Sequence, residues 1–273
     1  MISEGAAASD DLQDSWARFH RRWSRLKPPL RADQAVVDAI TTLLGERSAR
    51  TLLLGVTPDL APIGDDLTAV DWSAQMIAWI WPGDGPARRA LLGDWREMPT
   101  GERRFSAVIG DGSLNCLALA DYPGVFDQLM RVLEPGGRIA VRMYLTPDVG
   151  ETLAEVRGAV MAGEIKGFHA FKWRLAMALA AEQGRPDTPV AEILAAFDQT
   201  FPDRAGLAQA TGWDLAEIAE IDDYAGSRTV FSFPTRGQVL ARMPAAFEGA
   251  RFAPAGAYEL AERCPILFAT HAA

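Results

Sequence analysis

The sequence predicts an α/β fold: a doubly wound sheet, mostly parallel, with an antiparallel C-terminal strand and a helical insertion. Three observations predict it. Short apolar runs alternate with amphipathic segments from about residue 33 to residue 145, the rhythm of a parallel sheet with helices on both faces. Three of these runs end on an acid, at Asp71, Asp94 and Asp111. The alternation stops near Thr146, gives way to helical spacing, and resumes near Pro234.

Each element has its own signal. Leu12, Trp16, Phe19, Trp23 and Leu26 recur at spacings of four, three, four and three, one apolar stripe on a helix. Lys27-Pro28-Pro29 stops it. Asp33 caps a second helix with Val36, Val37, Ile40, Leu43 and Leu44 facing inward. Thr51 to Gly55 reads as the first strand and Leu67 to Asp71 as the second, followed by a helix capped at Ser73 and carrying Met76, Ile77 and Ile80. Arg89 to Asp94 and Phe105 to Asp111 read as strands three and four. Asp121 opens a helix that buries Phe126, Leu129, Met130 and Leu133, and Glu134-Pro135-Gly136-Gly137 turns into a fifth strand, Arg138 to Tyr144. Helical stripes follow: Leu153, Val156 and Val160; Phe168, Phe171, Leu175 and Leu179; Ile193, Leu194 and Phe197. A helix over Pro234 to Met243 precedes an antiparallel pair, Ala250 to Ala253 and Pro265 to Ala269. The expected organisation is an N-terminal helical lid (1–32), an α/β domain (33–145 and 233–273) and a helical insertion (146–232) that caps the substrate.

Composition narrows the function. The chain has 273 residues, 49% of them hydrophobic, enough for a full core. A net charge of −9 repels phosphate backbones and anionic lipid, so no nucleic-acid and no membrane partner is expected. Arg18, Arg21, Arg22 and Arg25 read as the solvated face of the first helix. No apolar run approaches the roughly 18 residues of a membrane span, and Met1 to Asp11 is unlike a signal peptide, so a cytoplasmic protein is expected. Cys116 and Cys264 are isolated and there are three histidines without ligand spacing, so no metal site and no disulfide are expected. Nothing in the sequence speaks for or against an oligomer.

The chemistry sits at the strand ends. In an open α/β sheet ligands bind beyond the carboxyl ends of the strands. A nucleoside cofactor needs a glycine after the first strand for close backbone approach. It needs an acid after the second strand to accept from both ribose hydroxyls, and an acceptor after the third for the adenine amine. Gly55, Asp71, Asp94 and Asp111 occur in this order, one per strand end.

With these residues the chain resembles the class I S-adenosylmethionine-dependent methyltransferases, whose sheet is Rossmann-like. The resemblance covers residues 31–145 and 234–270. Its marks are Leu52-Leu53-Leu54-Gly55-Val56-Thr57-Pro58-Asp59, Ala69-Val70-Asp71-Trp72-Ser73-Ala74-Gln75-Met76-Ile77, Leu92-Gly93-Asp94-Trp95-Arg96-Glu97-Met98-Pro99 and Leu133-Glu134-Pro135-Gly136-Gly137-Arg138. The first motif departs from the family: Leu53 stands in place of its acid, and Thr57 and Asp59 stand where later glycines usually fall. The resemblance implies S-adenosylmethionine as cofactor. Gly55, Val56 and Thr57 would line its methionine part, and Asp71 its ribose. Trp72, Met76, Asp94 and Trp95 would surround the adenine, and Gly110 and Asp111 would stand near the methyl group or the amino-acid part.

Methyl transfer is an in-line displacement that asks mainly for alignment and water exclusion, so no catalytic dyad is required. Trp16, Phe19, Trp23, Asn115, Tyr144 and His169 are the candidate substrate contacts, with His169 and Tyr144 the candidate catalytic groups. The expected acceptor is a small molecule. Three alternatives stay open: an inactive binding or scaffold protein on the same fold, a nicotinamide dehydrogenase and an aminopropyltransferase. The dehydrogenase is disfavoured by the lack of G-x-G-x-x-G after the first strand. The aminopropyltransferase is disfavoured by the lack of paired acids near the fourth strand.

Overall fold

The computed structural model describes residue 23 and residues 26–45 and 49–272. Trp16 and Phe19, with most of the expected N-terminal stripe, lie outside the described residues.

Helix α1 (Gln34–Leu44) begins where the Asp33 carboxylate accepts from Val36 N–H at 3.1 Å, and it buries Val36, Ile40 and Leu44. Strands β1 (Arg50–Leu54) and β2 (Asp66–Asp71) follow. Helix α2 (Ala74–Ile80) is capped by Ser73, which accepts from Met76 N–H at 3.2 Å. Strands β3 (Arg88–Leu92) and β4 (Phe105–Asp111), helix α3 (Tyr122–Val132) and strand β5 (Leu133–Arg142) complete the first half.

The seven-stranded sheet has the order β3-β2-β1-β4-β5-β9-β8, where β8 is Phe247–Ala253 and β9 is Ile266–His271. Only β9 runs antiparallel to its neighbours; the pairings from β3 to β5 are all parallel. The predicted fold class is therefore the observed one. Side chains alternate across the sheet with a period of two. Leu52 and Leu54 pack with Val108 and Phe126 on one face, while Leu53 packs with Ile40, Ala69 and Ile109 on the other. Both faces are covered, so the strands read as continuous apolar runs.

Several boundaries differ from the sequence expectation, and three of them have a visible cause or extent. Strand β3 stops at Leu92, not at Asp94, because the Asp94 side chain accepts from Arg96 N–H at 2.8 Å and opens a 3₁₀ turn over Trp95–Glu97. Strand β5 starts at Leu133, which pairs with Phe105; the next four residues loop out before Arg138 pairs with Ala107. Strand β8 starts at Phe247, three residues before the expected strand.

Between β5 and β8 the chain is mainly helical: α4 (Leu153–Met161), α5 (Phe168–Gln183), α6 (Val190–Thr200), α7 (Arg204–Thr211), α8 (Leu215–Ile218) and a 3₁₀ segment, Ala219–Tyr224. It also holds a short antiparallel pair the sequence did not announce, β6 (Asp187–Pro189) with β7 (Val230–Ser232). Three-residue strands, one of them ending in proline, carry no usable alternation. Helix α9 (Arg236–Leu240) returns the chain to the sheet behind a capping box of Thr235 and Gln238. Helix α5 is buried on most sides. Phe168 and Phe171 pack against Phe197 and Trp213 with ring centroids 5.3–6.0 Å apart, and Leu26 and Leu30 from the N-terminal segment join the same core. Among the described residues no helix is long and apolar enough to cross a membrane.

Candidate active site

The sheet order reverses between β1 and β4, and the strand ends there are level. Leu54 pairs with Val70 on one side and with Gly110 on the other, and Asp111 pairs with Arg142. A cleft of about 1310 Å³, counted to its open mouth, lies beyond these ends and under the helical segment. One wall carries Gly55, Val56, Thr57, Asp71, Met76 and Trp95. Tyr144, after β5, and Lys172, Trp173, Glu220, Tyr224 and Phe231, from the segment between β5 and β8, line the cleft as well.

Gly55 follows β1 with φ +93°, a conformation that side chains resist, while its N–H donates to the Val70 carbonyl at 2.8 Å. A Cβ on Gly55 would project to 3.8 Å from Asp71 Oδ2 and 4.0 Å from Trp95 Cζ2. The missing side chain therefore leaves open the gap between a carboxylate and an indole. Trp95 is held in place by its ring N–H, which donates to the same Val70 carbonyl at 2.7 Å.

Asp71 ends β2 and is 7% exposed. Its Oδ1 accepts from Ser73 N–H at 2.8 Å, and no cation among the described residues is paired with it. Burial pushes its carboxyl up to about 6, and the Ser73 N–H opposes the shift only in part. A buried carboxylate without a counter-ion, beside a glycine-made gap, is suited to accept from a vicinal diol.

The ends of β4 and β5 form a second polar layer. The Arg142 side chain is 0% exposed, and its Nε donates to Asp111 Oδ1 at 2.5 Å. Its remaining donors reach Tyr258 Oη at 2.8 Å and the Pro29 carbonyl at 2.9 Å. Tyr144 Oη also donates to Pro29 O, at 3.0 Å. Burial opposes the Arg142 charge, but Asp111 and the tyrosines outweigh it and hold the guanidinium protonated. Burial raises the Tyr144 hydroxyl well above its ordinary value, so it stays neutral. Ser113 Oγ donates to Leu54 O at 2.6 Å and ties the loop after β4 to the end of β1. Gly112 in that loop has φ +65°, and a Cβ there would lie 2.5 Å from Tyr144 Cε2.

Residues before α1 also reach the cleft. Trp23, Leu26 and Leu30 line it. Arg31 sits 5.5 Å over the Trp23 ring, donates to the Trp23 carbonyl at 3.2 Å, and pairs with Asp59 in the turn after β1.

The structure brings Gly55, Val56, Thr57, Asp71, Trp72, Met76, Trp95 and Asp111 to one cleft, together with Trp23 and Tyr144. Four sequence candidates stand apart. Asp94 turns away: its carboxylate is gripped by Arg96 through Nε at 3.0 Å and Nη2 at 2.7 Å, which also holds it below the usual carboxylate range. Gly110 lies beneath Ser113, whose Oγ would be 2.7 Å from an added Cβ. Asn115 is spent as a clamp, donating to the Tyr144 and Ser232 carbonyls at 2.7 and 2.6 Å and accepting from Tyr144 N–H at 3.0 Å. His169 is buried on α5 with Nε2 3.4 Å from Glu217 and does not line the cleft. Cys116 does line it, but burial pushes its thiol up to about 12.

Sequence reasoning missed Arg142, Ser113, Lys172, Trp173, Glu220 and Tyr224. Arg142 had a signal, a charge inside an otherwise apolar strand. The others come from the helical segment or a turn and meet the strand ends only through tertiary packing.

Residues 55–141 match the family described as "Methyltransferase domain". Demethylmenaquinone methyltransferases of Mycobacterium sp. strains KMS, JLS and MCS are each 30% identical over 161 residues, which is 58% of this chain and 62% of theirs. The chain thus matches less than two thirds of the length of these relatives. Two solved structures share the fold. One is the Burkholderia thailandensis 1,6-didemethyltoxoflavin-N1-methyltransferase with bound 1,6-didemethyltoxoflavin and S-adenosylhomocysteine, at a TM-score of 0.52 and 13% identity, covering 100% of this chain and 92% of that one. The other is titled a putative Zn-dependent alcohol dehydrogenase from Rhodobacter sphaeroides, at a TM-score of 0.55 and 11% identity, covering 96% and 98%. At these identities the likeness is one of fold. The matched segment runs from the glycine after β1 into β5, across the switch point that carries Asp71, and the sheet continues beyond it with one reversed strand. Residues 55–141 are thus similar to a methyltransferase domain, and they lie on a sheet of the same fold as these solved structures.

Proposed function

We propose that this chain is an S-adenosylmethionine-dependent methyltransferase that delivers the methyl group to a small-molecule acceptor by in-line transfer. The observation that carries the reading is Asp71: a buried carboxylate, without a cation partner among the described residues, beside the gap that Gly55 leaves. The residues present fit an adenosyl ligand. Asp71 would accept from the ribose hydroxyls, the backbone of Gly55 to Thr57 would run along the amino-acid part, and Met76 and Trp95 would flank the base. Asp94 is not needed for that set, since its carboxylate is committed to Arg96.

Bound there, the cofactor supplies a methyl group already activated by its sulfonium. The chain's own task is to align the acceptor and keep water out. The Asp111–Arg142 pair and Ser113 fix the loops at the ends of β1, β4 and β5, and Trp23, Leu26 and Leu30 add apolar lining. The wall of Tyr144, Trp173 and Phe231, with centroids 5.3 and 5.4 Å apart, suits a flat, ring-bearing acceptor. The relatives named for demethylmenaquinone and the neighbour solved with 1,6-didemethyltoxoflavin are described by ring-bearing small acceptors, which supports the same class.

Calorimetric titration with S-adenosylhomocysteine tests the reading. Saturable one-to-one binding by the native protein, weakened at least tenfold in Asp71→Asn, is the expected result. An absence of binding would leave only a scaffold on this fold.

A further inference from the structure

Resting on the methyltransferase reading, we propose that the helical wall of the cleft is a subsite for a planar hydroxyaryl acceptor, whose oxygen Lys172 draws toward the anion. Lys172 is the only cation among the described residues that line the cleft, and it is 5% exposed. Its Nζ lies 5.3 Å from the Tyr224 ring centroid and 5.9 Å from that of Phe168, so two aromatic faces support its charge where water does not. The next residue on α5, Trp173, contributes the flat wall, meeting Tyr144 and Phe231 at 5.3 and 5.4 Å. One turn of helix thus presents a cation and an aromatic plane to the same space.

Glu220 and Asp223, both on the 3₁₀ segment Ala219–Tyr224, line the cleft as well. A wall with one cation and two carboxylates disfavours a polyanion and an apolar ring alike. It suits a neutral acid: a hydroxyl that donates toward a carboxylate and gains stabilisation from Lys172 as charge grows on its oxygen. An acceptor that passes its proton to the Glu220 or Asp223 carboxylate needs no histidine, consistent with the placement of His169 away from the cleft.

The probe is 7-hydroxycoumarin, a planar phenol whose absorbance reports its ionisation, added to protein saturated with S-adenosylhomocysteine. The native protein should bind it and lower its apparent pKa by about one unit, a tenfold preference for the anion. Lys172→Met should abolish the shift and leave S-adenosylhomocysteine affinity unchanged, and Lys172→Arg should keep part of it. The proposal is overturned if the coumarin does not bind, if its pKa is unmoved or raised, or if the shift survives in Lys172→Met. Should Lys172→Met fail to fold, the native shift and its retention in Lys172→Arg decide the matter. Failure to bind S-adenosylhomocysteine at all would instead strike the cofactor reading.

Discussion

Arg31 and Asp59 form a bidentate ion pair, Nε to Oδ2 at 2.9 Å and Nη2 to Oδ1 at 2.8 Å, which ties the segment before α1 to the turn after β1. Asp59 stands where the family's first motif usually has a later glycine. The altered motif therefore has a structural use: it anchors the stretch whose Trp23, Leu26 and Leu30 line the cleft. Both partners are partly exposed, at 26% and 21%, so breaking the pair should cost at most about 1 kcal/mol of stability. Asp59→Ala and Arg31→Ala should instead speed S-adenosylhomocysteine dissociation several-fold in stopped-flow fluorescence. The charge-swapped double variant should restore the native rate, and an unchanged rate in both single variants would refute the anchoring role.

Asp71 links function to pH. Its carboxyl is raised by burial from 3.8 to about 6, so ionising it works against the fold. Stability from the protonated form is present below the unfolded value near 3.8 and is lost as pH rises through about 6. Asp71→Asn should therefore stabilise the ligand-free protein at pH 7.5, by up to about 3 kcal/mol, with little effect at pH 4. The same variant should bind S-adenosylhomocysteine at least tenfold more weakly at pH 7.5. In the native protein that affinity should fall as pH drops through about 6, because a protonated carboxyl accepts fewer hydrogen bonds. Thermal melts and titrations across pH 5–8 check both signs; greater weakness at high pH would contradict the assignment.

Arg142 and Asp111 form a buried pair that cannot lose one member cheaply. Arg142→Met leaves Asp111 without its counter-charge, takes the donor from Tyr258 Oη, and leaves the Pro29 carbonyl only the Tyr144 hydroxyl. The expected loss is about 3–5 kcal/mol, on the order of 10 °C in a thermal melt. Arg142→Lys should recover only a fraction, since one ammonium cannot reproduce the fork that reaches Asp111, Tyr258 and Pro29 together. A melt of Arg142→Met indistinguishable from native would show that the network is dispensable.

Gly55 and Gly112 should respond differently to alanine. At Gly112 the methyl would collide with the Tyr144 ring at 2.5 Å and the backbone stays left-handed, so Gly112→Ala should destabilise by about 1–3 kcal/mol. At Gly55 the methyl meets only ordinary contacts, but it enters the gap between Asp71 and Trp95. Gly55→Ala should melt closer to native and lose at least tenfold in S-adenosylhomocysteine affinity. Equal affinity in Gly55→Ala and native protein would mean that the gap is not where the ligand lies.

Much of the α/β half was legible from the residues alone. The strands are short, apolar and separated by capped helices, and the caps at Asp33 and Ser73 act through local hydrogen bonds that neighbouring residues dictate. Gly55 and Asp71 were legible for the same reason, since each sits at a strand end whose position the pattern defines. Asp94 was misread: its place in the chain suits an adenine contact, but Arg96, two residues on, captures the carboxylate. Asn115 looked like a free amide and is a clamp between β5 and β7, a partner the sequence did not announce.

What the sequence by itself determined is the sheet and the residues that stand at its strand ends, because period-two burial, caps and turn residues are set within a few residues of each other. What only the tertiary structure decided is which side chains from distant segments share the cleft. Lys172 and Trp173 from α5, Glu220 from a 3₁₀ segment and the Pro29 carbonyl meet the ends of β4 and β5 across up to 115 residues of chain. Helix α5 packs among α4, α6 and β6 and is buried on most sides, so beyond the stripe of Phe168, Phe171, Leu175 and Leu179 its sequence has no polar face to say which residue meets a ligand.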